Sequence, residues 1–349
     1  MPDANHPASN RRSFLQKSAL GSGLGVLASG AVHGSSPPMV AVRAERLPRE
    51  VWIATISQQG LQAGDTATMV RQMLSRMDEV VAFHPDIVCL PETFPYNNVS
   101  GTLPSMAERA EEPDGELTRP FAGFAAEHNC YVVCPIYTRH DGRVFNTAVI
   151  FDRKGQVLGE YHKMHPTTGE MDDGISPGSL EPPVFQTDFG VVGIQICFDI
   201  EWDDGWQKLQ QAGAEIVFWP SAFAGGLMVN TKAWQHRYCV VSSTAKDTSK
   251  ICDITGEVVA QTSRWNHWVC APLNLEKAFL HTWPYVRRFP EIQARYGRDV
   301  LIHNFADEEW SIIESRSADV KVADVLKEFD LHTLDELTRL SEARQCECR

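Results

Sequence analysis

From about Val51 the chain alternates between two patterns of apolar spacing. Residues 51–57 and 86–90 are short, nearly continuous apolar runs, the signature of strands covered on both faces. Between them, residues 66–83 place Met69, Met73, Met77 and Val80 at helical intervals, which predicts an amphipathic helix. The same reading predicts a helix over 117–128 and a strand over 130–137. Two glycine turns follow: Asp141-Gly142 joins 131–139 to 144–151, and Lys154-Gly155 joins that strand to 156–161. Further strands are expected at 191–196, 216–219, 239–243 and 267–272. They are interleaved with helices near 206–211 and 231–237, and a turn is expected at Asp253-Ile254-Thr255-Gly256. Strands alternating with helices predict an α/β fold, and the hairpins make its sheets mixed. After about Trp283 the pattern turns polar, with helices expected over 320–329 and 334–340 as a helical C-terminal extension.

The 349 residues are enough for one large α/β domain with extensions, which buries its core without disulfide or metal staples. Hydrophobic residues at 43% and charged residues at 22% exclude a disordered, collagen-like or coiled-coil chain. A net charge of −13 argues against a nucleic-acid partner. That charge is uneven. Residues 1–44 hold Arg11, Arg12, Lys17 and Arg43 against the single Asp3, a cationic leader on an acidic body. The leader reads Asn10-Arg11-Arg12-Ser13-Phe14-Leu15-Gln16-Lys17, then a Gly/Ala/Leu stretch to about Ala31. It resembles a twin-arginine export signal, which implies an exported, periplasmic or secreted protein and the export machinery as a partner. Ala28-Ser29-Gly30 and Val42-Arg43-Ala44 both suit cleavage. No other segment has 18 consecutive apolar residues, so no transmembrane helix is expected. Most of the nine cysteines lie in apolar runs, where a thiol behaves as a small hydrophobe, and no disulfide framework is expected.

Three segments carry candidate chemistry, each at the end of an expected strand. Val88-Cys89-Leu90-Pro91-Glu92 places a carboxylate at the carboxyl edge of a sheet, where α/β proteins collect ligands. Gly159-Glu160-Tyr161-His162-Lys163 delivers a lysine to a strand end in the same way. Gly193-Ile194-Gln195-Ile196-Cys197-Phe198-Asp199 runs into a cysteine on a sharp turn. Helix-terminus dipoles there are expected to favour its thiolate. Taken singly, each has a bland reading as surface charge or core thiol. His162 and His165 lack a third ligand at recognisable spacing, and Cys346-Glu347-Cys348 is a lone C-x-C, so no metal is expected.

Taken together, the order Glu92, Lys163, Cys197 resembles the nitrilase (carbon–nitrogen hydrolase) superfamily over roughly residues 50–275. Phe145-Asn146-Thr147-Ala148 and Trp219-Pro220-Ser221-Ala222 match as supporting segments. The resemblance implies a four-layer α-β-β-α sandwich and homodimers or higher homo-oligomers. It divides the chain into a leader (1–44), a hydrolase domain (48–283) and a helical extension (284–349). It implies a Glu92–Lys163–Cys197 triad, with Glu170 orienting Lys163 and the Phe198 N–H helping to hold an oxyanion. No cofactor is implied. Tyr96, Trp202, Ser221, Ala222 and Phe223 are candidates for the substrate pocket.

The implied reaction is hydrolysis of a small amide or N-carbamoyl compound through a cysteine thioester. Nitrilases of the superfamily usually carry Trp-Glu after the cysteine, whereas Phe198-Asp199 stands here. Carbamoylases often place an arginine close after the cysteine, where this chain has Glu201, Asp203 and Asp204, which favours a neutral or cationic substrate. The alternatives are a nitrilase, or a catalytically silent exported binding protein on the same scaffold.

Overall fold

The computed structural model describes residues 46–349. The expected leader, 1–44, lies outside the described residues. Two six-stranded sheets form the centre. The first runs, in spatial order, β12 (Trp268–Asn274), β1 (Glu50–Ile56), β2 (Ile87–Cys89), β3 (Tyr131–His140), β4 (Arg143–Phe151) and β5 (Val157–His162). The second runs β11 (Val258–Gln261), β10 (Lys250–Cys252), β9 (Cys239–Thr244), β8 (Ile216–Ser221), β7 (Val191–Ile194) and β6 (Val184–Gln186). In each, three parallel strands are flanked by antiparallel ones.

The period-two alternation sorts side chains between two cores. Ile53, Ile87 and Cys89 of the first sheet face Ile194, Ile216, Phe218 and Val241 of the second in one apolar layer. The intervening Ala54, Val88 and Leu90 face outward onto α1 (Thr66–Asp78) and α2 (Arg119–His128), meeting Met73, Met77, Phe121 and Phe124. On the far side, Val217, Trp219 and Val240 meet Trp206, Leu209, Val229 and Ala233 of α4 (Asp204–Gln211) and α5 (Leu227–His236). The result is the expected four-layer α-β-β-α sandwich.

Helix α1 starts where Asp65 Oδ1 accepts from the Thr68 N–H at 2.7 Å, a side-chain cap on an otherwise orphaned donor. Its expected extension to residue 83 stops at Asp78, and a separate 3-10 turn, Val81–Phe83, follows, closed by His84 in the left-handed conformation. Cys130 and Cys134 share one strand face and pack against the helices, and all nine cysteines are free.

The C-terminal region is less purely helical than the sequence pattern suggests. It contains α6 (Phe289–Tyr296), α7 (Val322–Glu328) and α8 (Leu334–Cys348), but β14 (Val300–Phe305) and β15 (Trp310–Ser315) form a hairpin. Strand β15 also pairs with β13 (Lys277–His281), which completes a three-stranded antiparallel sheet. Its apolar face closes on α6 and α7 through Leu280, Ile292, Ile313 and Val325. Among the described residues no helix is long and apolar enough to cross a membrane.

Candidate active site

Strand ends deliver the chemistry to one edge. Glu92 stands three residues beyond β2, Lys163 directly follows β5, and Cys197 lies three residues beyond β7. Glu170 comes from the short helix α3 (Thr168–Asp172), whose capping box uses the Glu170 carboxylate and the Thr167 hydroxyl reciprocally. Gly178 approaches so closely that a Cβ there would lie 2.2 Å from the His162 carbonyl oxygen. Its N–H donates to the Lys163 carbonyl at 2.8 Å, which pins the backbone carrying the lysine.

Cys197 has φ of 45°, a left-handed conformation that costs a residue with a Cβ about 1–2 kcal/mol. It opens a 3-10 turn, Cys197–Glu201. Asp199, fully buried, holds that turn. Its Oδ2 accepts from the Ile196 N–H (2.9 Å) and the Tyr161 hydroxyl (2.7 Å), and its Oδ1 accepts from the His165 N–H (2.8 Å). Trp219 Nε1 donates to the Cys197 carbonyl at 3.0 Å. The strained residue is therefore fixed from both sides, and as a whole it is 8% exposed.

Glu92 is also buried, and both of its oxygens are held. Oε1 accepts from Lys163 Nζ (2.9 Å) and Asn146 Nδ2 (2.8 Å), and Oε2 accepts from the Ala222 N–H (2.8 Å). Lys163 Nζ reaches both oxygens of Glu170, at 3.0 and 2.8 Å, and is 1% exposed. The Cys197 thiol lies against the Glu92 carboxylate and the Ala222 N–H.

These contacts set the charges. Burial opposes the Lys163 ammonium, but Glu92, Cys197 and Glu170 outweigh it and hold its pKa above the ordinary lysine value. Burial likewise opposes ionisation of Glu170, yet Lys163 and Asn146 hold that carboxyl below the usual range. For Cys197, burial and then the Glu92 charge push the thiol well up, with Lys163 opposing. This corrects the expectation of a stabilised thiolate. A five-residue turn supplies little dipole, and desolvation beside a carboxylate wins.

The expected pocket residues divide. The Ala222 N–H touches Glu92, Ser221 is buried with Oγ accepting from the Phe223 N–H (3.1 Å), and Phe223 meets Trp219 edge-on. Phe198 meets Trp202 edge-on at 5.0 Å, and Trp202, 40% exposed, stacks on His165 at 4.3 Å. The Phe198 N–H belongs to the first turn after Cys197 and takes no backbone acceptor there, whereas the Asp199 N–H donates to the Ile196 carbonyl at 3.0 Å. Tyr96 stands one ring further out, stacked on Tyr137 at 5.6 Å, and it is Tyr137 whose pKa the Glu92 and Glu170 charges help burial to raise. His162 and His165 take separate partners, Thr147 Oγ1 and Asp199.

Sequence reasoning overlooked Asn146, Asp199 and Tyr137 as parts of this site. Asn146 carried a usable signal, a carboxamide in the middle of the apolar strand β4 and 1% exposed.

Comparison with known proteins places this geometry in a family. The model of the carbon–nitrogen hydrolase family matches residues 53–278, which contain every residue of the site. A β-ureidopropionase of Arabidopsis thaliana is 35% identical over 150 residues, 41% of this chain and 36% of that protein. A deaminated glutathione amidase of Mus musculus is 38% identical over 189 residues, 49% of this chain and 54% of that protein. The matches thus span about a third to a half of these relatives. An amidase from Nesterenkonia sp. shares the fold with a TM-score of 0.57 at 19% identity, over 64% of this chain and 90% of that one. Saccharomyces cerevisiae Nit3, a nitrilase-superfamily member, does so with a TM-score of 0.58 at 18% identity, over 72% and 96%. With the family model covering more than half its length, the chain that brings Glu92 and Lys163 of one sheet to Cys197 of the other belongs to the carbon–nitrogen hydrolase family.

Proposed function

We propose that the protein hydrolyses the C–N bond of a small neutral or cationic amide or N-carbamoyl compound through a thioester at Cys197. The observation that carries this reading is the convergence of a reachable thiol, a carboxylate and a buried ammonium: Cys197, Glu92 and Lys163. Burial and the Glu92 charge both oppose the thiolate, so the thiol needs a base at the moment of attack. Glu92 Oε1 already accepts two hydrogen bonds, whereas Oε2 accepts one and keeps lone-pair capacity for the thiol proton.

The sulfur attacks the carbonyl carbon as Glu92 takes the proton. Lys163 Nζ and the Phe198 N–H face the developing oxyanion, each such donor being worth about 3–4 kcal/mol in comparable sites. The C–N bond then breaks, Glu92 returns the proton to the departing nitrogen, and a thioester remains. Water, deprotonated by Glu92, attacks that thioester. The C–S bond breaks, and Glu92 reprotonates the sulfur as the acid leaves.

Similarity to proteins named as a ureidopropionase and an amidase supports amide-type substrates over nitriles. Asp203 is paired with Lys232 (3.0 Å) and bonded to His236 (2.9 Å), which leaves Glu201 and Asp204 as the acids after Cys197 without a lysine or arginine partner. The expected electrostatic preference is correspondingly smaller than the three-acid run suggests. We further propose export by the arginine-paired leader.

The test is carboxylate and ammonia yield from matched nitrile, amide and N-carbamoyl substrates. Amide or N-carbamoyl turnover with little nitrile turnover is expected. A nitrile consumed faster than its amide at equal concentration refutes the assignment.

A further inference from the structure

The two carboxylates of the site are bridged twice. Lys163 Nζ bonds Oε1 of Glu92 and Oε1 of Glu170, at 2.9 and 3.0 Å. Asn146 Nδ2 bonds the same two oxygens, at 2.8 and 2.7 Å. The four groups close a ring in which two anions alternate with one cation and one neutral amide. We propose that Asn146 is a positioning residue that sets the orientation of Glu92 in the hydrolase reaction.

The amide orientation follows from its neighbours. Turned over, the side chain would aim its oxygen at two carboxylate oxygens, which the anions forbid. In the orientation present, both Nδ2 hydrogens serve the carboxylates while Oδ1 is buried without a hydrogen-bond partner. An orphaned buried carbonyl is unfavourable, so the arrangement favours the carboxylate contacts at the expense of the amide's own acceptor.

Neutrality is the second part of the argument. A hydrogen-bond donor stabilises the carboxylate it faces. A cation at residue 146 would do the same but would also neutralise the base. Asn146 donates without adding charge, so the ring keeps one net negative charge for the thiol proton. Because Oε1 is held at two points and Oε2 at one, the ring also fixes which oxygen of Glu92 faces Cys197.

The inference rests on the hydrolase reading, so the experiment has one arm that needs no substrate. Asn146→Ala should lower kcat roughly 10–100-fold, as a misplaced catalytic group does, with KM changed less than about threefold. Asn146→Asp has nearly the same shape but sets oxygens against the carboxylates. At pH 8 it should be slower than Asn146→Ala, and it should recover as acid restores one donor. In the substrate-free arm, iodoacetamide alkylation of Cys197 is followed by peptide mass spectrometry across pH. Its midpoint should rise in the order wild type, Asn146→Ala, Asn146→Asp, as the carboxylate beside the thiol first loses a neutral donor and then gains a second anion as neighbour.

Circular dichroism melts identify folded variants, and the isosteric Asn146→Asp keeps the test open if Asn146→Ala does not fold. Unmoved alkylation midpoints, or Asn146→Asp outperforming Asn146→Ala at pH 8, would show that Asn146 only fills space and overturn the proposal. If wild type turns over no amide, the hydrolase reading fails and the alkylation series alone decides the role of Asn146.

Discussion

Removing the Asp199 carboxylate tests how the cysteine turn is held. In Asp199→Ala, the Ile196 N–H, the His165 N–H and the Tyr161 hydroxyl lose acceptors that lie 2.7–2.9 Å away in a site with no solvent exposure. A buried donor left unpaired costs about 1–3 kcal/mol. Water entering the space and the removal of a desolvated charge offset part of this, leaving an expected loss of about 3–5 kcal/mol, the range for breaking a buried polar network. For a domain this large, roughly 2 °C per kcal/mol converts that loss to a melting-temperature drop of about 6–10 °C.

Activity should fall further than stability does. Without Asp199 nothing ties the Ile196 N–H, so Cys197 can relax from its left-handed conformation and carry the sulfur away from Glu92. Thermal melts by circular dichroism give the first quantity. Single-turnover acylation measured well below the melting temperature gives the second. Asp199→Asn keeps an acceptor oxygen but turns N–H groups toward donors, so it should rescue little of either. A melting temperature within 2 °C of wild type, together with unchanged acylation, refutes the argument.

Cys197→Ala should abolish turnover with a near-native melt, because it removes the nucleophile and little packing, and residual turnover in the folded variant would exclude the thioester. Lys163→Met should lower kcat by roughly 10²-fold or more and also destabilise the protein, since Glu92 and Glu170 then share a buried site without their cation. Burial first, and then the His140 and Arg143 charges, push His162 down to about 4. The unfolded chain therefore takes up that proton first, and stability should decline as pH falls from about 6.5 to about 4. His162→Gln should flatten that part of the urea-midpoint profile, and an unchanged slope would exclude the assignment. Replacing Arg11 and Arg12 together by lysine should leave full-length precursor in the cytoplasm, whereas unchanged fractionation would mean that the leader is not read as an arginine pair.

Much of the fold was legible because the two sheets obey local pattern. Apolar runs such as that around Ile216–Ser221, short and rich in β-branched and aromatic residues, read as strands covered on both faces, and the Gly142 and Gly155 turns announce their hairpins. The sheet of β13, β14 and β15 was not legible. Its Lys277–Glu314 pairing spans a stretch of polar sequence whose composition reads as helix and loop, and no short window contains both partners. Glu92, Lys163 and Cys197 stood out because each closes a strand, and their order carried more than any one of them. Asn146 and Asp199 did not, because their importance lies in which side chains the fold brings to them. An acid in a loop normally reads as solvated, and only the folded chain shows Asp199 enclosed by Tyr161, Ile196 and His165.

The site is divided between layers, and this gives the inner core a role beyond stability. Glu92, Asn146, Lys163 and Glu170 come from the first sheet and its connections, whereas Cys197, Asp199 and Ala222 come from the second. The distance between base and nucleophile is therefore a distance between sheets. Apolar packing alone holds such a spacing but tolerates sliding. Here directional bonds cross the layer as well. Thr55 Oγ1 of β1 donates to the Ser242 carbonyl of β9 at 2.6 Å, and Ser243 Oγ of β9 returns a bond to the Ile56 carbonyl at 2.6 Å. Tyr161 of β5 reaches Asp199, and the Ala222 N–H reaches Glu92, from opposite sides of the same gap. Four fully buried bonds or near-buried bonds at the strand ends thus set the register of one sheet on the other where the chemistry occurs. The buried hydroxyls of Thr55 and Ser243, which a purely apolar core would exclude, are explained by that requirement: they fix the relative position of two catalytic groups that no single element carries together.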